Sequence, residues 1–446
     1  MIQGGLLLFI FILTIFFIIL MTAKVKMNAF LVLLLASFGA GLLSGMEPVT
    51  VIQTITGGFG GILSYIGIVI IAGTIIGTML EKSNATLTMA NTVLGLIGKS
   101  KSALAMSITG AIVSISVFCD SGFIILSSLN KTLAKKANIS MAAMAVALGS
   151  GLLATHTFVP PTPGPIAAAA NLEADIGIVI VFGLIISVPA VLAGYLWAMK
   201  IGSRYHVEID SVPDSEPEVS ELPKAFDAFA PVVIPIVLIT LKSIADFPGH
   251  PFGEGRVKAF FDFFGDPTAA LLLGVFIAFR LIPRWDEEHL NGWVGEGLRN
   301  AASIIMITGA GGAFGAILKA TAIGDYLSIS LAQYSLGIFL PFIVAAALKT
   351  AQGSSTVSLI TTSALVSPML SELGLASETG RALTVISIGA GAMIISHAND
   401  SYFWVVSQFS GLDTTTAYKT HSMATLVQGL TSIVFIYLIS LLPGIL

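Results

Sequence analysis

Thr155-His156-Thr157-Phe158-Val159-Pro160-Pro161-Thr162-Pro163-Gly164-Pro165 sets four prolines within six residues, in a chain that is otherwise a succession of apolar runs. Proline has no backbone N–H and its ring clashes with the preceding turn, so this stretch is not helix interior. The surroundings make the break informative. The chain has 446 residues, 55% of them hydrophobic and 10% charged, and a mean hydropathy of +0.94, outside the soluble globular range. Apolar runs of roughly 20 residues, long enough to cross about 30 Å of hydrocarbon as helices, recur from Gly4 to Leu446. In lipid, backbone groups freed by a break are tolerated only where the segment is buried in protein or lines a wet cavity. The reading is an all-α polytopic membrane protein with broken helices; the short alternating strands of a β-barrel are not seen in the sequence.

Charge gives orientation, because Lys and Arg accumulate in short cytoplasmic loops. Lys24 and Lys26 follow the first apolar run; Lys82, Lys99 and Lys101 follow the third; Lys131, Lys135 and Lys136 follow the next pair. Lys200 with Arg204, and Arg280 with Arg284, complete the pattern. Setting these inside places the N-terminus and the loop Gly45 to Thr56 outside, and makes Ser102 to Leu129 enter and leave on the cytoplasmic side. That segment is expected to be a re-entrant hairpin or broken helix pair. Arg256 and Lys258 fall outside and break the rule. The first run, Gly4 to Met21, lacks a basic leader and a small-residue cleavage site and reads as a retained helix. Cys119 is the single cysteine, so no intramolecular disulfide forms, and a net charge of −4 with scattered basic residues offers nucleic acid no footprint.

Residues 203–228 are polar, rich in Asp, Glu and Pro, and read as a cytoplasmic linker. They divide the chain into a first half, 1–202, and a second, 229–446, each with one membrane repeat. Gly73-x-x-x-Gly77-x-x-Leu80 matches Gly311-x-x-x-Gly315-x-x-Leu318, and Thr155-His156 matches Ser396-His397. Charge counting runs the first glycine helix inward and the second outward. Similar pattern with opposed direction is the signature of inverted-topology repeats, which hold substrate near the midplane between discontinuous helices.

Four polar segments interrupt the apolar pattern. Phe118-Cys119-Asp120-Ser121-Gly122-Phe123 carries a carboxylate that costs roughly 2.5 to 3.5 kcal/mol at the bilayer centre on insertion scales. Asp120 must then be protonated, paired or wet, with a helix N-cap role as the structural alternative; Gly122 lets the chain turn beside it. In the proline segment, His156 can exchange protons near neutral pH or act as a structural hydrogen-bonder. Lys349-Thr350-Ala351-Gln352-Gly353-Ser354-Ser355-Thr356-Val357-Ser358 offers hydroxyls and freed N–H groups that suit an oxyanion or polyol, or that glue helices together. Lys349 is expected to snorkel to an interface rather than face substrate. In Ser396-His397-Ala398-Asn399-Asp400-Ser401-Tyr402-Phe403-Trp404, His397 and Asp400 share a face if the segment stays helical, close enough to tune each other.

These segments resemble the hallmarks of the gluconate permease (GntP) family of bacterial symporters, over nearly the whole chain. Phe-Cys-Asp-x-Gly-Phe, Pro-Pro-x-Pro-Gly-Pro-x-Ala-Ala, Ala-Gln-Gly-Ser-x-Thr-Val and Ser-His-x-Asn-Asp-x-x-Phe-Trp begin here at Phe118, Pro160, Ala351 and Ser396. The resemblance implies proton-driven uptake of a sugar acid across the bacterial inner membrane. It also implies an ion-transporter-superfamily fold with scaffold and transport domains, elevator-type alternating access, and a homodimer formed through the scaffold. Two departures bear on substrate: Thr162 stands where gluconate-type members usually show His, and Tyr402 where they usually show Gly. Other members are associated with D-serine, glycerate and uronic acids.

The expected substrate ligands are Asp120, Ser121, Thr162, Gly164, Gln352, Gly353, Ser354, Ser355, Thr356 and Asn399. The expected proton-coupling groups are Asp120, His156, His397 and Asp400. No cofactor or metal is expected beyond the proton gradient, although sodium remains open because the same hydroxyls and carbonyls suit it. An enzyme is disfavoured: Gly-x-Ser-x-Gly and His-Glu-x-x-His do not occur, and Gly98-Lys99-Ser100 lacks the upstream glycine of a phosphate loop. A passive channel would need a charged ring or carbonyl filter that the sequence does not show. Gly57-Gly58 and Gly60-Gly61 allow close helix contact.

Overall fold

The computed structural model describes residues 5–98, 101–207, 222–246, 251–321 and 336–446. Its described residues form helices and connections, with no strand among them. α1 (Gly5–Ile19) and α2 (Ala29–Leu43) lead into the long α3 (Pro48–Lys82) and then α4 (Ala85–Ile97). α5 (Ser102–Val113), α6 (Cys119–Ala137), α7 (Met141–Phe158), α8 (Pro163–Leu172) and α9 (Ile176–Lys200) follow. The second half holds α10 (Ala225–Ala245), α11 (Arg256–Phe264), α12 (Pro267–Ala278) and α13 (Val294–Ala320). It closes with α14 (Phe339–Gln352), α15 (Ser355–Val366), α16 (Glu378–Ala392), α17 (Ser401–Phe409) and the span α18 (Thr414–Ser440). Seven described helices are long and apolar enough to cross a membrane.

Helix starts are written locally. Glu47 caps α3 by accepting from Thr50 N at 3.0 Å, and Pro48 follows at the first helical position. Asp175 caps α9 through Ile178 N at 2.8 Å, and Ser377 caps α16 through Gly380 N at 2.9 Å. Such caps satisfy donors that have no intrahelical partner. Burial sorts the helices. Every residue of α7 is buried, so it is the central pillar, whereas α9 leaves Leu184, Val188, Leu192 and Leu196 on its outer, lipid-facing side.

The two halves share an element order: a long helix (α3, α13), then a hairpin (α5/α6, α14/α15), a broken helix (α7/α8, α16/α17) and a closing span (α9, α18). The expected re-entrant segment is the hairpin α5/α6, with residues 114–118 as its tip and its second leg extending to Ala137. α3 and α13 pack along each other, with Gly58 at their crossing: a Cβ there would lie 2.6 Å from Ala316 Cβ. Gly58 therefore serves a contact within the chain, while Gly57, Gly60 and Gly61 face open space.

The matched glycines sit where α3 and α13 touch the broken elements. A Cβ on Gly77 would fall 2.2 Å from Ser116 O in the first hairpin tip, and one on Gly73 would fall 3.0 Å from Pro161 O in the proline break. On α13, a Cβ on Gly311 would meet Ile360 of α15 at 2.5 Å. Bare glycine faces thus let α3 and α13 lie directly against the hairpins and breaks.

Several expectations are corrected in detail. α10 begins at Ala225, inside the polar stretch read as linker; residues 208–221 of that stretch, and Lys99 and Ser100, lie outside the described residues. Gly122 is not a turn: it sits in the first turn of α6, where its missing side chain admits Leu152, whose Cδ2 would be 2.7 Å from a Cβ. Lys258, which broke the charge rule, pairs with Asp246 at 2.8 Å and Asp262 at 2.9 Å, so carboxylates offset its charge locally.

Candidate functional site

The breaks of the two repeats are joined by a chain of side-chain contacts. In the second hairpin, α14 ends at Gln352, Gly353 turns the chain at φ 89°, and Ser354 caps α15 through Val357 N at 3.2 Å. Facing it is the break 393–400 between α16 and α17, where Ile395 takes φ 46° and Asp400 caps α17 through Tyr402 N at 3.1 Å. The backbones touch: a Cβ on Gly353 would lie 2.2 Å from Asn399 O.

Charge is concentrated at this contact. Lys349 does not snorkel; it is 1% exposed, and its Nζ donates to the Gly353 carbonyl and, at 2.6 Å, to Asp400 Oδ2. Ser396 Oγ donates to the same Asp400 oxygen at 2.5 Å. Because that hydroxyl proton is spent on Asp400, His421 Nε2, 3.2 Å from Ser396 Oγ, is the donor in its contact.

The expected His397/Asp400 pair does not form. Residues 393–400 are not helical, so the two side chains diverge: Asp400 turns to Lys349 and Ser396, while His397 Nε2 donates to Thr350 O at 2.8 Å. Asn399 donates to Thr350 O at 2.9 Å and Ala351 O at 3.1 Å. Both side chains thereby satisfy the C-terminal carbonyls of α14.

The first repeat is wired differently. Asp120 lies in the first turn of α6, partly buried, with the Ser401 hydroxyl beside it and the Lys349 and Asp400 charges acting on it. Its Oδ1 takes no hydrogen bond from the protein. His156, at the end of α7, is buried next to the Phe118 ring, with centroids 6.0 Å apart, and its Nδ1 is also without a partner. Gln352 Nε2 in the second hairpin and Ser116 Oγ in the first share that condition. Buried polar atoms are nearly always hydrogen-bonded, so a set of them at helix breaks marks a place for ligand or water.

Residues 6–442 match the family described as GntP family permease. The chain belongs to that family. A gluconate permease of Pseudomonas aeruginosa is 33% identical over 441 residues, 96% of each chain. The D-serine transporter DsdX of Escherichia coli is 32% identical over 431 residues, 95% of this chain and 96% of that one. In fold, the chain is similar to the Alcanivorax borkumensis YdaH transporter, with TM-score 0.65 at 14% identity over 92% of this chain and 97% of that one. It is similar also to Neisseria gonorrhoeae MtrF, with TM-score 0.66 at 15% identity over 94% and 96%. The protein is a multi-pass inner-membrane permease and not an enzyme.

The remaining GntP motif residues fall around the same breaks. Gly164, at the start of α8, leaves room for Leu359 of α15, whose Cδ1 would lie 2.7 Å from a Cβ there. Thr162 donates to Val159 O at 2.5 Å, and Tyr402 OH donates to Gly149 O at 2.9 Å, so both departures from the family pattern spend their hydroxyls on backbone. Ser121 faces Glu81 of α3. Ser355 is buried and Thr356 half-buried in the first turn of α15. His421 and Ser401 are participants that sequence reasoning missed; the signal for His421 was a histidine inside a polar patch, Thr414 to Ser422, at the start of an apolar span.

A cleft of about 550 Å³ opens elsewhere, between α3 and α13 on one side and α8 and α15 on the other, lined by Tyr65, Asn171, Glu173 and Lys319 among others. None of the expected site residues lines it. Glu173 bridges Lys319 at 2.9 Å and Arg381 at 3.3 Å, and the Lys319 hydrogen bond holds its carboxyl below the usual range.

Proposed function

We propose that the chain is a proton-coupled importer of a small hydroxylated carboxylate, with gluconate or a related sugar acid foremost, working by elevator-type alternating access. The observation that carries this reading is the contrast in charge at the breaks. Lys349 and Asp400 cancel each other, which leaves Asp120, among the described carboxylates at the breaks, with an oxygen unpartnered by protein. Placing a substrate carboxylate near an ionised Asp120 would set two like charges together in a poorly hydrated site. Taking up one proton with each substrate removes that penalty. Proton and anion are then bound together or not at all.

The half-helix starts supply the attraction. α6, α8, α15 and α17 each begin at a break, and the positive end of a helix with free N–H groups favours an anion. Ser354, Ser355 and Thr356 would serve substrate hydroxyls from the start of α15, with Gln352 Nε2 as a further donor. The glycine contacts of α3 and α13 support the moving step, because side-chain-free faces can slide past backbone without interlocking. The relatives support the substrate class: one is named for gluconate and another for D-serine.

The test is labelled gluconate uptake by proteoliposomes under an imposed inward proton gradient, with D-serine and D-glycerate as competitors. Saturable uptake that collapses with a protonophore is expected. Proton-driven accumulation of a competitor alone would keep the coupling and move the substrate, and uptake indifferent to the gradient would overturn the coupling.

A further inference from the structure

Transporters built from discontinuous helices hold a coupling cation between half-helix C-terminal carbonyls and nearby polar groups. The C-terminal end of α14 and the turn after it present such carbonyls, and three of them are taken by side chains. Thr350 O accepts from His397 and Asn399, Ala351 O from Asn399, and Gly353 O from Lys349. Lys349 then places its ammonium on a carboxylate as well, 2.6 Å from Asp400 Oδ2, with both side chains almost wholly buried. A backbone carbonyl plus a carboxylate is the ligand chemistry of a small monovalent cation. Here the positive charge is covalently attached, on the Lys349 side chain.

We propose that Lys349 is a tethered cation, whose ammonium occupies the place between the Gly353 carbonyl and the Asp400 carboxylate that a soluble cation would otherwise fill, so that the second hairpin tip stays docked without sodium. The role rests on the transporter reading above, but not on which substrate is carried. Lys349 in this role is a positioning residue. It clamps the tip of one hairpin to the N-terminus of α17 and cancels a buried charge that would otherwise oppose the docking. Shortening it to alanine opens space beside an uncompensated Asp400, and sodium can enter that space.

The experiment follows the thermal unfolding of the detergent-purified full chain, with sodium chloride exchanged for choline chloride at constant ionic strength. No substrate is present, so a wrong guess about gluconate leaves the result intact. The wild-type melting temperature is expected to be the same in both salts. Lys349→Ala is expected to melt lower in choline and to recover part of the loss in sodium. If Lys349→Ala does not fold, the double variant Lys349→Met with Asp400→Asn decides, because it removes both charges while keeping volume: it is expected to fold and to ignore sodium. A wild-type chain stabilised by sodium, a Lys349→Ala chain no more sodium-sensitive than the wild type, or a double variant that fails to fold would each overturn the proposal.

Discussion

The two hairpins share a topology and differ in chemistry. The second, α14/α15, turns at a glycine, has its end carbonyls satisfied by the opposing break, and carries an ion pair between its last turn and α17. The first, α5/α6, turns over residues 114–118 with a hydrogen bond from Ser114 Oγ to Val117 O, and leaves Asp120 Oδ1 and Ser116 Oγ without protein partners. The second hairpin pairs its charges and leaves only the neutral Gln352 Nε2 without a partner, whereas the first leaves a carboxylate oxygen unpaired. In the proposed mechanism the difference separates two jobs: the Lys349–Asp400 pair would fix geometry, and Asp120 would take and release the proton.

Glycine substitutions in the two hairpins separate them further. Gly353→Ala should have the largest effect, because a Cβ at φ 89° would also sit 2.2 Å from Asn399 O. The conformational cost of about 1–2 kcal/mol and the overpacking cost of about 1–3 kcal/mol together predict a loss of roughly 3 kcal/mol in unfolding free energy. In the first hairpin, Gly122→Ala in the first turn of α6 crowds only the end of the Leu152 side chain, with Val113 and Val117 at ordinary contact distance. There, helix propensity returns about 1 kcal/mol and the net change in the same unfolding assay should stay within about 1 kcal/mol. Equal losses at the two glycines would break the contrast.

The smallest effect belongs to the outer ion-pair cluster, Lys319, Glu173 and Arg381, which ties α13 to the start of α9 and to α16. Glu173 is well exposed, so Glu173→Gln should cost about 0–1 kcal/mol and less at high salt. The sign with pH is fixed by the direction of its shift. A carboxylate held below its usual range by Lys319 adds stability above its unfolded value, and loses it as pH falls through the lowered folded value. Wild type and Glu173→Gln should therefore converge in melting temperature on acidification below the ordinary carboxylate range.

Much of the fold is legible in the sequence because membrane helices announce their interruptions. Four prolines after Thr157 mark the α7/α8 break, and lysines at both ends of Ser102 to Leu129 force the hairpin that α5/α6 forms. The Gly73/Gly77 and Gly311/Gly315 patterns mark like faces of α3 and α13, and at Gly73, Gly77 and Gly311 the neighbours come too close for an unaccommodated Cβ. The wiring of the site is less legible. Lys349 and Asp400 are 51 residues apart in the chain, and nothing local distinguishes a lysine that will meet a buried carboxylate from one that will snorkel. The His397/Asp400 expectation assumed helical spacing across 393–400, which the positive φ of Ile395 interrupts. Backbone carbonyls, the partners His397 and Asn399 found, have no signature in sequence at all.

In the proposed mechanism Asp120 carries the coupling proton, and Asp120→Asn isolates that step. The measurement is substrate-driven proton movement and gradient-driven uptake in proteoliposomes, beside exchange of labelled for unlabelled substrate with no gradient. Asp120→Asn is expected to lose proton movement and accumulation while exchange continues, because the amide mimics the protonated carboxyl. Proton movement undiminished in the Asp120→Asn protein would contradict the account.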